Sequence, residues 1–126
     1  MKFTLFPTLE EALYLHQVLL EKYGGTFGIR DQGLLESALM RPQMKYYTSL
    51  SEQAATLLQS LARNHAFVDG NKRMAFALAV IFLKMNGYFL KVKSAKAYDF
   101  LVKKIISGHA EIPEITTWIE KHMHMS

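Results

Sequence analysis

A polar run followed directly by an apolar helix is the feature that most constrains this chain. Residues 71–85 have helical composition and are hydrophobic on nearly every side, so this helix is expected to be central in the domain. The run before it reads His65-Ala66-Phe67-Val68-Asp69-Gly70-Asn71-Lys72-Arg73. It holds a titratable base, a carboxylate, a glycine, an amide and two cations, a set that no packing requirement asks for. The pattern predicts a chemically functional loop at the start of a buried helix.

Composition sets the class of protein. The chain has 126 residues, which predicts one domain over 1–126. It has no cysteine, so disulfides and thiolate metal sites are excluded and a reducing compartment fits best. We find no signal-peptide pattern, and the longest apolar run, Met74 to Leu83, is shorter than the roughly 20 residues that span a bilayer. The sequence predicts a cytoplasmic protein without a membrane partner.

Charge gives a weaker indication. The net charge is +4, which allows an anionic ligand or partner. The cations are scattered and never form a block, so direct binding of nucleic acid is not expected.

Helical periodicity and end signals predict an all-α fold, a single compact bundle of about six helices with the polar run between two central ones. The Tyr88–Val92 segment reads as a short extended piece that Lys2–Phe6 could pair with. The first helix begins at a capping box of Thr8 and Glu11 and ends at Gly24-Gly25, and the second covers 31–40 and is closed by Pro42. Ser51 is the predicted cap of a third helix over 52–64, and the fourth is Asn71–Met85. Ser94 is the predicted cap of a fifth helix that ends at Ser107, and Pro113 lies in the first turn of a sixth that ends at His122.

The polar run has the properties of a phosphate site. Gly70 permits a tight turn, Asp69 or Asn71 can cap the helix, and the first N–H groups of that helix then face the loop. Lys72 and Arg73 occupy the first turn, where the helix macrodipole disfavours cations by roughly 0.3–1 kcal/mol each. A bound polyanion reverses that penalty, because dipole, amides and side chains then converge on it.

Individual side chains suggest roles. Arg73 can fork two phosphate oxygens while Lys72 acts as a point charge. Asp69 could hold Mg²⁺, which favours one or two carboxylates together with phosphate oxygens. His65 could take a proton from an attacking hydroxyl near neutral pH. Phe67 would anchor the loop in the core, and Arg63 could face the same site.

Each of these residues also has an ordinary structural explanation when taken singly. A histidine near a helix end is usually a cap, Asp-Gly is usually a turn, and Lys-Arg is usually solvated surface. The combination ahead of so apolar a helix favours the functional interpretation.

The run His65-x-Phe67-x-Asp69-Gly70-Asn71-Lys72-Arg73 resembles the signature of the Fic/Doc superfamily, in its Doc (death-on-curing toxin) form. The resemblance covers about Thr8 to Val92. It extends to Tyr23-Gly24-Gly25, Gly28-Ile29-Arg30-Asp31, Leu34-Leu35-Glu36-Ser37-Ala38-Leu39 with Pro42, and Asn86-Gly87-Tyr88.

The resemblance implies an all-α fold and transfer of a phosphate-containing group from a nucleotide to a protein hydroxyl. In the Doc form it implies ATP with Mg²⁺ as cofactors, transfer of the γ-phosphate to a threonine of elongation factor Tu, and inhibition of translation. His65 would be the catalytic base, Gly70, Asn71, Lys72 and Arg73 the phosphate-binding residues, and Asp69 the metal ligand. Arg63 lies two residues before His65 and is either a further phosphate-binding residue or a solvated cation. It further implies a small antitoxin whose carboxy-terminal segment folds on binding and covers the site.

Four positions depart from the family patterns. Ala66 replaces a usual proline, Lys72 replaces the second glycine of the Fic run Gly-Asn-Gly-Arg, and Phe76 stands where Fic enzymes carry a second arginine. Lys72 should crowd the pose used for AMP transfer, so these three favour phosphoryl transfer. Ala77 stands where Doc toxins carry an asparagine, which removes one polar contact.

The loop over 41–50 could act like the family's flap, with Tyr46 and Tyr47 as target contacts. Three other functions stay open. The same residues could transfer AMP, the basic surface could serve a non-catalytic module that binds RNA or a protein partner, or His with Lys and Arg could cleave RNA. The ribonuclease interpretation lacks a clear second acid–base residue.

Overall fold

The first three helices begin and end where local chemistry directs. The computed structural model describes residues 3–126. Its first elements are α1 (Leu9–Tyr23), α2 (Gln32–Met40), a 3-10 turn (Arg41–Gln43) and α3 (Leu50–Arg63). Thr8 and Glu11 form the predicted capping box, and Gly24 ends α1 with φ of 83°. Asp31 caps α2 through a bond from the Leu34 N–H.

The cap of α3 is not the predicted one. Ser49, rather than Ser51, accepts the Glu52 N–H, and the Glu52 carboxylate accepts the Ser49 N–H in return. A capping box needs Glu or Gln three residues after the cap, and only Ser49 has one. Ser51 is a buried residue inside the first turn.

The second half of the chain contains α4 (Asn71–Met85), β1 (Tyr88–Leu90), α5 (Ser94–Asp99) continuing as a π-helix (Phe100–Ile106), α6 (Ile112–His122) and β2 (Met123–Met125). Residues 3–126 therefore contain six α-helices, as predicted for an all-α bundle. Ser94 is the first residue of α5 and makes no capping bond, so its predicted role as a cap is wrong. Pro113 lies in the first turn of α6 as predicted.

The predicted pairing of the Tyr88 segment is wrong. β1 pairs antiparallel with β2 at the carboxyl end, with Tyr88 opposite Met125 and Leu90 opposite Met123. Lys2 lies outside the described residues. Leu5 instead exchanges two hydrogen bonds of 2.9 Å with the side-chain amide of Asn86, and Phe6 stacks on Phe82.

The core forms around α3, which packs most extensively against α4 and α6. Ten of the fourteen residues of α3 are buried, against six of fifteen in α4. The apolar α4 is therefore central on one side only, because Arg73, Phe76 and Ala77 on its other side line an open cleft. None of the helices in residues 3–126 is long and apolar enough to cross a membrane.

Candidate active site

The loop between α3 and α4, residues 64–70, starts with a sharp reversal of the chain. His65 has φ of 52°, a left-handed conformation that is uncommon in residues other than glycine but is tolerated by histidine. The guanidinium of Arg30 holds this turn, because its Nε donates to the His65 carbonyl at 2.6 Å and its Nη2 to the Asn64 carbonyl at 2.9 Å. The His65 side chain is exposed and lines the cleft beside α4.

The middle of the loop is fixed in the core by Phe67. Its side chain is 2% exposed and stacks on the imidazole of His16 in α1, with ring centroids 3.7 Å apart. Asn71 closes the loop onto the same residue, since its Nδ2 donates to the Phe67 carbonyl at 2.9 Å and its Oδ1 accepts the Phe67 N–H at 3.0 Å. The Asn71 carboxamide thus shapes the loop, and the main-chain N–H of this residue has no acceptor within residues 3–126.

A second segment, residues 24–31, lies along the loop as a strand-like partner. Ile29 and Phe67 form an antiparallel bridge. The Val68 N–H donates to the Gly28 carbonyl at 3.0 Å, and the Arg30 N–H donates to the Ala66 carbonyl at 2.8 Å. The loop therefore has backbone partners on one side, which fixes where its side chains point.

The Asp69 carboxylate is held by two main-chain donors. Oδ2 accepts the Thr26 N–H at 3.1 Å and Oδ1 accepts the Gly70 N–H at 2.8 Å. These two bonds, helped by the nearby His16 and Arg73, lower the pKa of Asp69 below its ordinary value of 3.8. The side chain is therefore an ionised, oriented carboxylate at neutral pH. It caps neither helix, which corrects the predicted capping role.

Gly25 provides the first testable consequence of this contact. A Cβ at Gly25 would lie 2.7 Å from Leu20 Cδ2 and 3.0 Å from Asp69 Oδ2, and φ is +126°. We expect Gly25→Ala to lower the free energy of unfolding by more than about 1 kcal/mol, because the backbone conformation and the contact both oppose a side chain. Chemical denaturation measures the loss.

Gly24→Ala is the matched control for that experiment. Gly24 also has positive φ, +83°, but nothing lies within 4 Å of its added Cβ. The control loses free energy of unfolding only through the backbone conformation. Any additional loss in Gly25→Ala therefore measures the contact with Leu20 and Asp69. Equal losses in the two variants would mean that the crowding is relieved at no cost.

The N-terminus of α4 is open toward solvent. Gly70 occupies the cap position with φ of 77° and makes no side-chain capping bond. The N–H groups of Asn71, Lys72 and Arg73 have no acceptor within residues 3–126. Within residues 3–126 the only ion pair joins Lys103 and Asp99. Neither Lys72 nor Arg73 is therefore neutralised by a carboxylate within 4 Å. Free amides and two unneutralised cations therefore meet at one helix end, which suits a bound anion.

One cleft of about 800 Å³ collects most of the predicted residues. Its polar half contains His65 and the start of α4, and its other half is mainly apolar side chains from α1, α4, α5 and the π-helix. The lining residues are Leu19, Tyr23, Ala62, His65, Val68, Asp69, Gly70, Asn71, Lys72, Arg73, Phe76, Ala77, Ser94, Ala97, Tyr98, Leu101 and Ile106.

Three predicted residues lie elsewhere. Arg63 does not face this cleft, because its guanidinium donates to the carbonyls of Ile105 and Ala110 at 2.9 and 2.8 Å and borders a different groove. Arg63 therefore ties α3 to the segment before α6. Tyr46 and Tyr47 pack edge to face on one another and line neither groove. Residues 24–31 lie along the loop, and contact of Tyr46 and Tyr47 with a target stays a prediction.

The cleft fits a nucleotide with its metal. Its volume is within the range of about 300–1,000 Å³ usual for small-molecule sites. Mg²⁺ is usually held by one or two carboxylates together with phosphate and water oxygens, and Asp69 is an oriented carboxylate in this cleft. Residues 3–126 contain no group of three or more His, Cys, Asp or Glu side chains that could hold a metal ion.

Sequence reasoning missed three residues of the site. In the sequence, His16 and Tyr23 merely fall at the helical spacing of α1, and Arg30 lies in the segment that follows it. In the structure the guanidinium of Arg73 lies 4.2 Å from the centre of the Tyr23 ring. The one available signal was the family resemblance, which includes Tyr23-Gly24-Gly25 and Arg30. It does not show what these residues contact, and it gave neither of them a role.

Comparison with known proteins identifies the family of this chain. Residues 6–83 match the model of the Fic/DOC family. The chain belongs to this family. Toxin Doc of Mycolicibacterium smegmatis is 54% identical over 70 residues, 52% of this chain and 54% of that protein. Protein kinase doc of Escherichia phage P1 is 40% identical over 82 residues, 62% of this chain and 65% of that protein. The chain thus matches about half and just under two thirds of these relatives' lengths, and both relatives carry the Doc name.

Proposed function

We propose that this Fic/DOC protein is the toxin of a toxin–antitoxin pair and transfers the γ-phosphate of ATP to a threonine hydroxyl of a protein. The expected target is elongation factor Tu in the cytoplasm, and the expected result is inhibition of translation. The observation that carries the proposal is the convergence of four groups on one cleft. These are the exposed His65, the ionised Asp69, the free amides of α4, and the unneutralised Lys72 and Arg73.

In the proposed step the threonine oxygen attacks the γ-phosphorus. The new bond joins that oxygen to phosphorus, the bond from the bridging oxygen to the γ-phosphorus breaks, and ADP leaves. The threonine proton passes to His65. Lys72, Arg73 and the α4 amides stabilise charge on the transferred group, since such catalysis consists mainly of positioning and electrostatics. Mg²⁺, held through Asp69, would supply further neutralisation of the phosphate oxygens when bound.

Two observations favour γ-phosphate transfer over AMP transfer. Lys72 lines the cleft in the first turn of α4, where Fic enzymes carry a glycine that lets phosphates lie close to the backbone. A long side chain at this point crowds that pose. The relative from phage P1, which is 40% identical to this chain over the matched residues, is named a protein kinase.

The apolar half of the cleft suggests where an antitoxin would bind. Leu19, Phe76, Tyr98 and Leu101 line it, and Tyr98 is 57% exposed. A segment that folds on binding would bury Tyr98 and the half-buried Leu19 and Phe76, and would cover the phosphate site at the same time. We propose this surface as the contact of the small antitoxin.

Radiolabelled ATP tests the proposal. The purified protein is incubated with Mg²⁺ and purified elongation factor Tu, in parallel with γ-labelled and with α-labelled ATP. Label from γ-labelled ATP alone is the expected result, whereas label from α-labelled ATP would establish AMP transfer. No label on this target, or on any protein of a matched cell lysate, would reject the enzymatic proposal. Salt-dependent RNA binding that is insensitive to His65 would then favour a binding module.

A further inference from the structure

His16 is a buried titratable residue that the proposed chemistry does not use. It lies on the inner face of α1 with Ala12 and Leu20 and is 5% exposed. Its Nε2 lies 2.8 Å from the main-chain oxygen of Asp69, 53 residues away in sequence. Because a carbonyl oxygen only accepts, Nε2 carries the proton and is the donor.

The ring contacts three positions of the 64–70 loop at once. It stacks on Phe67, donates to Asp69, and lies against Gly70, where an added Cβ would be 3.6 Å from Nε2. An apolar side chain in this place would preserve the stacking but leave the Asp69 carbonyl without its donor. An unmade hydrogen bond of this kind costs more than a bond gains, so the peptide would turn to find another partner.

The orientation of that one peptide controls the site. With the Asp69 carbonyl directed at His16, the Gly70 N–H of the same peptide points away from α1 and donates to Asp69 Oδ1 at 2.8 Å. This bond, together with the Thr26 N–H, sets the direction of the carboxylate. The next residues are those whose free amides open α4 toward the cleft.

We propose that His16 is a positioning residue, which fixes the Asp69–Gly70 peptide and through it the Asp69 carboxylate and the N-terminus of α4. The part of this inference that concerns metal and nucleotide rests on the proposed function. The part that concerns the peptide stands on the contacts alone. Removing a group that orients a metal ligand without touching the metal typically lowers metal affinity or activity by about 10–100-fold.

Two substitutions of similar length separate the hydrogen bond from packing. His16→Gln keeps an N–H donor at the end of the side chain, and His16→Met removes it with little change in length. We expect the Mg²⁺ concentration for half-maximal transfer from ATP to rise about 10–100-fold in His16→Met. His16→Gln should recover most of that loss.

Leu13→Ala is the control for stability. Leu13 is half-buried on the same helix and packs against the core, and its side chain has no hydrogen-bonding group that could hold the loop. It should lower the melting temperature while leaving the Mg²⁺ dependence unchanged. If His16 served only as core filling, His16→Met, His16→Gln and Leu13→Ala would all behave in this way, and the inference would be overturned.

A readout that needs no activity keeps the inference testable if the proposed function fails. The amide resonance of Gly70 reports its bond to Asp69 in an ¹⁵N-labelled protein. We expect this resonance to move in His16→Met and to stay near the parent position in His16→Gln. An inactive parent with that pattern would reject the proposed function and support the positioning role. An unmoved resonance in both variants would reject the role whatever the activity.

Discussion

Replacing His65 by alanine should reduce phosphoryl transfer to the target by about 10²–10⁴-fold, which is the usual contribution of a positioned general base. The protein should still fold, because the side chain is exposed and its carbonyl, not its imidazole, accepts the Arg30 bond. His65→Asn belongs beside it, since asparagine tolerates the left-handed conformation at φ of 52°. Initial rates with γ-labelled ATP and a melting curve measure the two effects.

The chain provides a matched control for this experiment. His109 is also exposed and also has φ of 52°, but it does not line the cleft. His109→Ala places alanine at the same φ and should keep full activity. If the two alanine variants lost activity equally, the loss would reflect backbone strain, and His65 would have no role as the base.

Arg73→Ala should give the next largest effect, a loss of about 10²–10³-fold in transfer, typical of removing one donor that stabilises a developing charge. Its stability should change by less than about 1 kcal/mol. Removing a cation from the first turn of α4 relieves about 0.3–1 kcal/mol of unfavourable dipole interaction. Losing its contact with the Tyr23 ring at 4.2 Å costs about as much.

Two further substitutions sharpen the experiment on Arg73. Arg73→Lys keeps the charge but loses the planar fork, so it should recover only part of the activity. Lys84→Ala removes an exposed cation from the last turn of the same helix, where the dipole favours it. It should therefore cost a little stability and no activity. An active Arg73→Ala protein would show that Lys72 and the amides suffice to bind the phosphates.

Much of the fold could be predicted because its signals are local. The Thr8 capping box, the Gly24 end of α1 and the bounds of α4 depend on residues within one helical turn of each other. Predictions failed at Ser51 and Ser94, which have the residue type of a cap but lie inside the first turn of their helices. They also failed where the partner is remote in sequence, as for β1, which pairs with the carboxyl-terminal strand.

The site shows the same division. The motif identified the residues in the polar half of the cleft, because they are nearly consecutive and one helix end brings them together. It could not show that Arg63 bonds to Ile105 and Ala110, since nothing near Arg63 in sequence indicates those carbonyls. The contacts of His16 and Arg30 with the loop were invisible for the same reason, since each crosses more than 30 residues.

The backbone hydrogen bonds between residues 24–31 and the loop also determine how much of the chain is needed for the site to keep its shape. Within the signature His65–Arg73, Asn71 closes the loop through its two bonds to Phe67. The rest of the shape depends on outside contacts, because the carbonyls and the carboxylate are bound by His16, Thr26 and Arg30. Transplanting those nine residues between two other helices would carry the reactive groups without their scaffold. The structural unit that carries the site runs from α1 to the first turns of α4. Related sequences that keep the motif but change the contacting residues in α1 and in 24–31 are candidates for lost activity.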